Sequence, residues 1–165
     1  MKPIELSQIC DGHPVAVFAK HFSELDRAVC PMAPFWLDFD PMRVARLLQW
    51  MMLIGRQDVT LEGHVIRIMG EGVKQVFSVN LTNMNLGTVF DRETIAIRWR
   101  NVIDVAETRK PSFHTSCVPV ESRSFIQLYR GCFPFCDENG DIIRLIVVVA
   151  PVDVRGMHLY EYPTD

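Results

Sequence analysis

The sequence predicts an α+β fold built on a mostly antiparallel sheet, and three observations carry that prediction. β-rich stretches fall into two groups, near 52–69 and 112–150, on either side of a helical segment. Two early stretches, Val15/Phe18/Phe22/Leu25/Val29 and Val44/Leu47/Leu48/Met51, repeat apolar residues at helical spacing. The run Asp137-Glu138-Asn139-Gly140-Asp141 sets Asn-Gly between two apolar stretches, a hairpin signal because both residues tolerate positive φ.

Each element has its own start and stop. Asp11-Gly12-His13-Pro14 is a turn with Pro where a helix begins, and Val15, Phe18, Phe22, Leu25 and Val29 then line one helical stripe. Cys30-Pro31-Met32-Ala33-Pro34 ends it, since two prolines remove donors and restrict their neighbours. Asp40 suits an N-cap and Pro41 the first helical position of a short amphipathic helix ending near Trp50. Residues 52–60 and 61–69 read as strands joined by a polar turn. Asp91 caps the longest helix, 92–107, with Ile95, Trp99, Val102, Ile103 and Ala106 inward and Arg98, Arg100, Asn101 and Asp104 toward water. Residues 112–120, 122–135 and 142–150 are strands, the last so apolar that it is central and covered on both faces.

Bulk properties narrow the function classes. The chain's 165 residues suit one domain with a real core. A net charge of -3 without a basic stripe argues against nucleic-acid binding. No apolar run is long enough to span a bilayer, and the N-terminus lacks the apolar stretch of a signal peptide. A cytoplasmic location is therefore expected, with the five cysteines as free thiols.

The order Asp38-Phe39-Asp40-Pro41, helix, strand, Arg67-Ile68-Met69-Gly70, Phe77, Leu81-Thr82, closing hairpin through Gly140 resembles the PAS sensor fold. It is most similar to short bacterial PAS proteins common in alphaproteobacteria. Trp36 replaces an Arg usual in that family, and Asn83 replaces a Gly usual after Leu-Thr; Asn is the non-Gly residue best able to adopt αL. The resemblance implies a five-stranded antiparallel sheet, helices over one face enclosing a small pocket, and an N-terminal helix on the other face or on a partner. It divides the chain into an N-terminal helical segment (1–33), a PAS-like domain (34–152) and a tail (153–165).

Candidate residues follow. Met69, Phe77 and Trp99 are expected to line a ligand pocket. Arg67 is expected to pair with Asp38 or Asp40, as a fork tying down the segment, with Gly70 giving a turn its φ. Val15, Phe18, Phe22, Leu25 and Val29 have the spacing of a short dimer seam, or alternatively cover the sheet. His64 shares a strand face with Ile66 and Ile68; His114 and Cys117 fall on opposite strand faces and do not meet. Cys132 and Cys136 are too far apart along a strand to share a metal, and no phosphate loop or nucleophile elbow is present.

The expected function is a non-catalytic sensory or regulatory module, with no cofactor specified. It acts on a small-molecule ligand, as a homodimer, with output through a downstream signalling protein because the chain carries no output segment. The rivals are a cone-shaped α+β enzyme using His114 with Asp104, and a pocketless dimerisation module. Two strands before the long helix favour the sensor reading.

Overall fold

The computed structural model describes residues 1–28, 30–60, 63–89, 100–118 and 121–154. The described strands are β1 (Lys2–Pro3), β2 (Met51–Arg56), β3 (His64–Met69), β4 (Ser112–Cys117), β5 (Gln127–Cys136) and β6 (Ile142–Pro151). The helices are α1 (Pro14–Glu24), α2 (Glu71–Phe77), α3 (Leu86–Val89) and α4 (Arg100–Thr108), with short 3₁₀ turns between. The strands form one antiparallel sheet in the order β1-β4-β5-β6-β2-β3.

The sheet has six strands rather than five. Lys2 and Pro3 pair with Thr115 and His114, and the Ile4 N–H donates to the Phe113 carbonyl at 3.0 Å. This short segment covers the edge that β4 would otherwise present. As its composition predicts, β6 is central and is buried from Leu145 to Pro151. Strand β5 starts at Gln127, later than expected, because Glu121–Arg123 forms a turn. There Arg123 donates to the carbonyls of Gln75 and Val76, tying the turn to the end of α2.

Alternation along β5 gives the sheet two different faces. Phe133 and Phe135 point outward, while Arg130, Cys132 and Pro134 point inward. Helix α1 packs on the outer face. Phe18 meets Phe133 at 4.8 Å between ring centroids, and Phe22 meets Phe133 at 5.2 Å and Phe135 at 5.6 Å. Trp36, Phe39 and Phe113 extend this aromatic layer. Helices α2 and α4 pack on the same central strands from the inner side.

Helix α1 is short at both ends for identifiable reasons. The His13 imidazole caps it: Nδ1 accepts from the Val15 N–H at 3.2 Å, and Nε2 bonds the Pro151 carbonyl at 3.0 Å. At the other end Arg27 donates to the carbonyls of Phe22, Ser23 and Leu25 and sits 5.3 Å over the Phe22 ring. Leu25 is already extended (φ -71, ψ 144), so the stripe stops at Phe22; Val29 lies outside the described residues. Val15, Phe18 and Phe22 are buried against the chain's own sheet, which is the sheet-covering use of the stripe that the spacing also allows.

Asp40 caps the next segment as expected, accepting from the Met42 N–H at 2.9 Å. That segment, Pro41–Trp50, is 3₁₀ with a kink at Val44. Its repeat of three turns Val44, Leu47 and Trp50 inward and leaves Leu48 exposed, which corrects the α-helical face read from spacing.

Four of the chain's five histidines, His13, His21, His64 and His114, are held below the ordinary value, in each case chiefly by burial. Folding thus favours their neutral forms. The unfolded chain binds these protons near pH ~6.5, so their contribution is complete above that and is lost as pH falls toward the depressed folded values. We expect the urea midpoint to be lower at pH 5.5 than at pH 7.5. Net charge alone argues the other way, because -3 moves toward zero on mild acidification. An unchanged or raised midpoint would remove the histidines from the account.

Candidate functional site

The inner face beneath α4 holds a group of polar side chains. On β4, Ser112 and His114 point inward opposite Cys132 and Arg130 of β5. From α4, Asn101 is 6% exposed and faces the same side as Val102, Val105 and Ala106. The sequence places Asn101 toward water. The structure instead buries it, because the buried residues of α4 are Asn101, Val102, Val105 and Ala106 while Ile103 is half-buried.

The atoms of this group are unusual for a protein interior. Both side-chain amide atoms of Asn101, the Ser112 hydroxyl and Nδ1 of His114 are buried without a hydrogen-bond partner among the described residues. A buried unpaired polar atom costs about 1–3 kcal/mol. Arg130, 7% exposed, adds a buried cation. The His114 imidazole is kept neutral first by burial and then by the Arg130 guanidinium and the chain's amino terminus. Asp104, on the same helix, is exposed and acts on His114 only through its charge; no hydrogen bond joins them. An acid–base couple of the kind the enzyme reading needs is therefore not assembled.

The other expected site residues are placed as follows. Met69 is buried, and its sulfur accepts from the Leu81 N–H at 3.4 Å. Phe77 is half-buried against the core, and Trp99 lies outside the described residues. Arg67 forms no ion pair with Asp38 or Asp40. Asp40 is 4.0 Å from Arg43, and Arg67 instead lies over Gly55, whose added Cβ would sit 3.1 Å from its Nε.

The reason is a β-bulge. Leu53 pairs with Ile68 but Ile54 pairs with Ile66, so Arg67 is an extra residue in β3. The bulge also separates Ile68, 57% exposed, from the fully buried His64 and Ile66, with which strict alternation would group it. His64 hydrogen-bonds the Thr60 carbonyl through Nδ1, and its Nε2 is buried without a partner.

Asn83 has φ +66, the left-handed conformation for which Asn substitutes best for Gly. In the closing hairpin the Asp137 carboxylate accepts from the N–H groups of Asn139 and Asp141, both at 2.9 Å. Only Gly140, φ +81, is left-handed there, whereas the sequence suggests it for both residues.

The architecture is α+β and PAS-like: two strands, intervening helices, then three strands in one antiparallel sheet, with α1 added on the outer face. This strand grouping separates it from the cone-shaped enzyme fold. No family model matches the chain, and no curated protein does. Among solved structures it is similar to a sensory box sensor histidine kinase from Vibrio cholerae, with 19% identity, covering 67% of this chain and 87% of that one, TM-score 0.46. It is also similar to the PAS domain of BvgS from Bordetella pertussis, with 19% identity, 69% and 85% coverage, TM-score 0.49. A PAS domain from Colwellia psychrerythraea aligns at 9% identity, 67% and 94% coverage, TM-score 0.49. Among the described residues, no helix is long and apolar enough to cross a membrane.

Proposed function

We propose that the chain is a non-catalytic sensory module of the PAS type that binds a small polar ligand on the inner face of its sheet. The observation that carries this is the set of unpartnered buried atoms on Asn101, Ser112 and His114. Ser112 and His114 stand on β4 opposite Cys132 and the buried Arg130, and Asn101 is buried on α4, which packs on β5. That chemistry suits a small carboxylic acid or its amide, which offers both donors and acceptors.

The relay follows from the two-sided sheet. Strands β5 and β6 carry the ligand group on or beside their inner face and α1 on their outer face, and His13 joins the start of α1 to the end of β6. A ligand that binds one arrangement of these strands more tightly shifts the population toward it, and α1 carries the change to the surface. A second copy of the chain, or a signalling protein, reads it there.

Titration calorimetry against a panel of small carboxylic acids and their amides tests the reading. At least one is expected to bind saturably, with Asn101→Ala weakening it about tenfold, equivalent to about 1.4 kcal/mol. No saturable binding across the panel, or an unchanged Kd in the variant, would overturn it. Native mass spectrometry and an absorption spectrum of freshly purified protein add the oligomeric state and any retained ligand.

A further inference from the structure

Three segments distant in sequence meet at the base of the sheet, and they bring two thiols together. Cys30, in the turn after α1, is 3% exposed; Cys136, at the end of β5, is fully buried. The Cys136 thiol lies 3.4 Å from the Ala33 carbonyl and 3.5 Å from that of Pro34, and its N–H donates to Pro34 at 3.0 Å. Cys30 opens the turn against which Cys136 lies: its carbonyl accepts from the Ala33 N–H at 3.3 Å, so both thiols border the same few residues. Arg109, one residue past α4, directs Nη1 at the Cys30 sulfur from 3.9 Å. Arg109 has φ +59, a helix-ending conformation that usually selects Gly or Asn.

We propose that Cys30 and Cys136 are an oxidisable dithiol that hydroperoxides close to a disulfide, with Cys30 as the attacking sulfur and Cys136 as the resolving one. The two thiols are differentiated for these roles. Burial alone would push Cys30 up, but the N–H groups of Met32 and Ala33 and the Arg109 guanidinium outweigh it and hold the thiol below its ordinary value. Burial, with the Cys30 sulfur adding to it, pushes Cys136 up to about 11. The turn that carries Cys30 exposes its next two residues, Pro31 and Met32.

The chemistry balances. The Cys30 thiolate attacks the hydroperoxide oxygen, the O–O bond breaks, and the departing alkoxide or hydroxide takes a proton and leaves as alcohol or water. The Cys136 sulfur then attacks the Cys30 sulfenic acid; an S–S bond forms, the S–O bond breaks, and the thiol proton leaves with the hydroxyl as water. Both sulfurs are oxidised and the peroxide is reduced by two electrons. The product staples the segment after α1 to the end of β5, next to the strand pair that holds α1. A dithiol reductant reverses it.

The full chain is exposed to a small excess of hydrogen peroxide and mapped as non-reduced peptides. The expected product links Cys30 to Cys136, in preference to the exposed Cys10 and Cys117. In Cys136→Ser, a sulfenic-acid trap is expected on Cys30. Arg109→Gln is expected to slow disulfide formation about three- to tenfold, since the lost stabilisation of the thiolate is partly offset by higher intrinsic nucleophilicity. Independently of any variant, the pH midpoint of Cys30 alkylation by iodoacetamide is expected below that of the same cysteine in the urea-unfolded chain. Linkage or trapping confined to Cys10 and Cys117, or a Cys30 midpoint at or above its value in the unfolded chain, overturns the assignment.

Discussion

Phe133→Ala is expected to lower the unfolding free energy by about 3–5 kcal/mol, the upper range for losing a buried aromatic ring. Phe133 is fully buried and touches Phe18, Phe22 and Phe113 across the outer face, at centroid separations of 4.8, 5.2 and 5.8 Å. The cost has two parts: transfer of the ring, and a cavity that both the strand and α1 would have to close. Helix α1 cannot simply settle inward, because His13 fixes its first turn to Pro151. The urea midpoint should fall by about 2 M, given a slope of roughly 1–3 kcal/mol per M. A loss under about 1 kcal/mol would mean that the aromatic layer collapses freely and does not anchor the helix.

Gly70→Ala is expected to cost about 3 kcal/mol or more, although it adds a single methyl group. The residue's φ is -64, so conformational freedom is not what requires Gly there, contrary to the expectation from the Arg67-Ile68-Met69-Gly70 pattern. What requires it is proximity: an added Cβ would lie 2.3 Å from the Leu48 carbonyl oxygen and 2.4 Å from that of Gln49. Both are backbone atoms, and Gly70 is pinned by bonds to Met51 (2.8 Å) and from Lys74 (3.1 Å). The 3₁₀ segment, β3 and α2 must separate to admit the methyl. Gly12→Ala is the control, since nothing lies within 4 Å of its added Cβ, and it should stay within about 0.5 kcal/mol of wild type. Equal effects at the two positions would show that the close approach is not maintained in solution.

Legibility in the sequence differed between elements. The hairpin at Gly140, the cap at Asp40 and the left-handed Asn83 are set by residues within a few positions of each other, and each appears as read, apart from the conformation of Asn139. The apolar run of β6 marked a central strand, because burial on both faces leaves no polar alternation. The candidate site was much less legible. Asn101 has the composition of a solvated helix position, and only the rotation of α4 on β5 turns it inward. Arg67 was paired with the wrong partners because a bulge, which leaves no mark in the hydrophobic pattern, moved it onto the outer face. Spacing pairs Cys136 with its neighbour Cys132, while the thiol lies against the Ala33 and Pro34 carbonyls, about a hundred positions away.

By itself the sequence determined the class of fold: which stretches are helix or strand, and the grouping of two strands and then three. These follow from side-chain periodicity and turn chemistry, which act over a few residues. Only the tertiary structure decided that the stripe of α1 is used on its own sheet, that a sixth strand covers the edge, and that Asn101, Ser112 and His114 each bury polar side-chain atoms. Those outcomes depend on helix rotation, register and the approach of distant segments. Each is a balance of packing against desolvation summed over many contacts, and no local pattern records its sign.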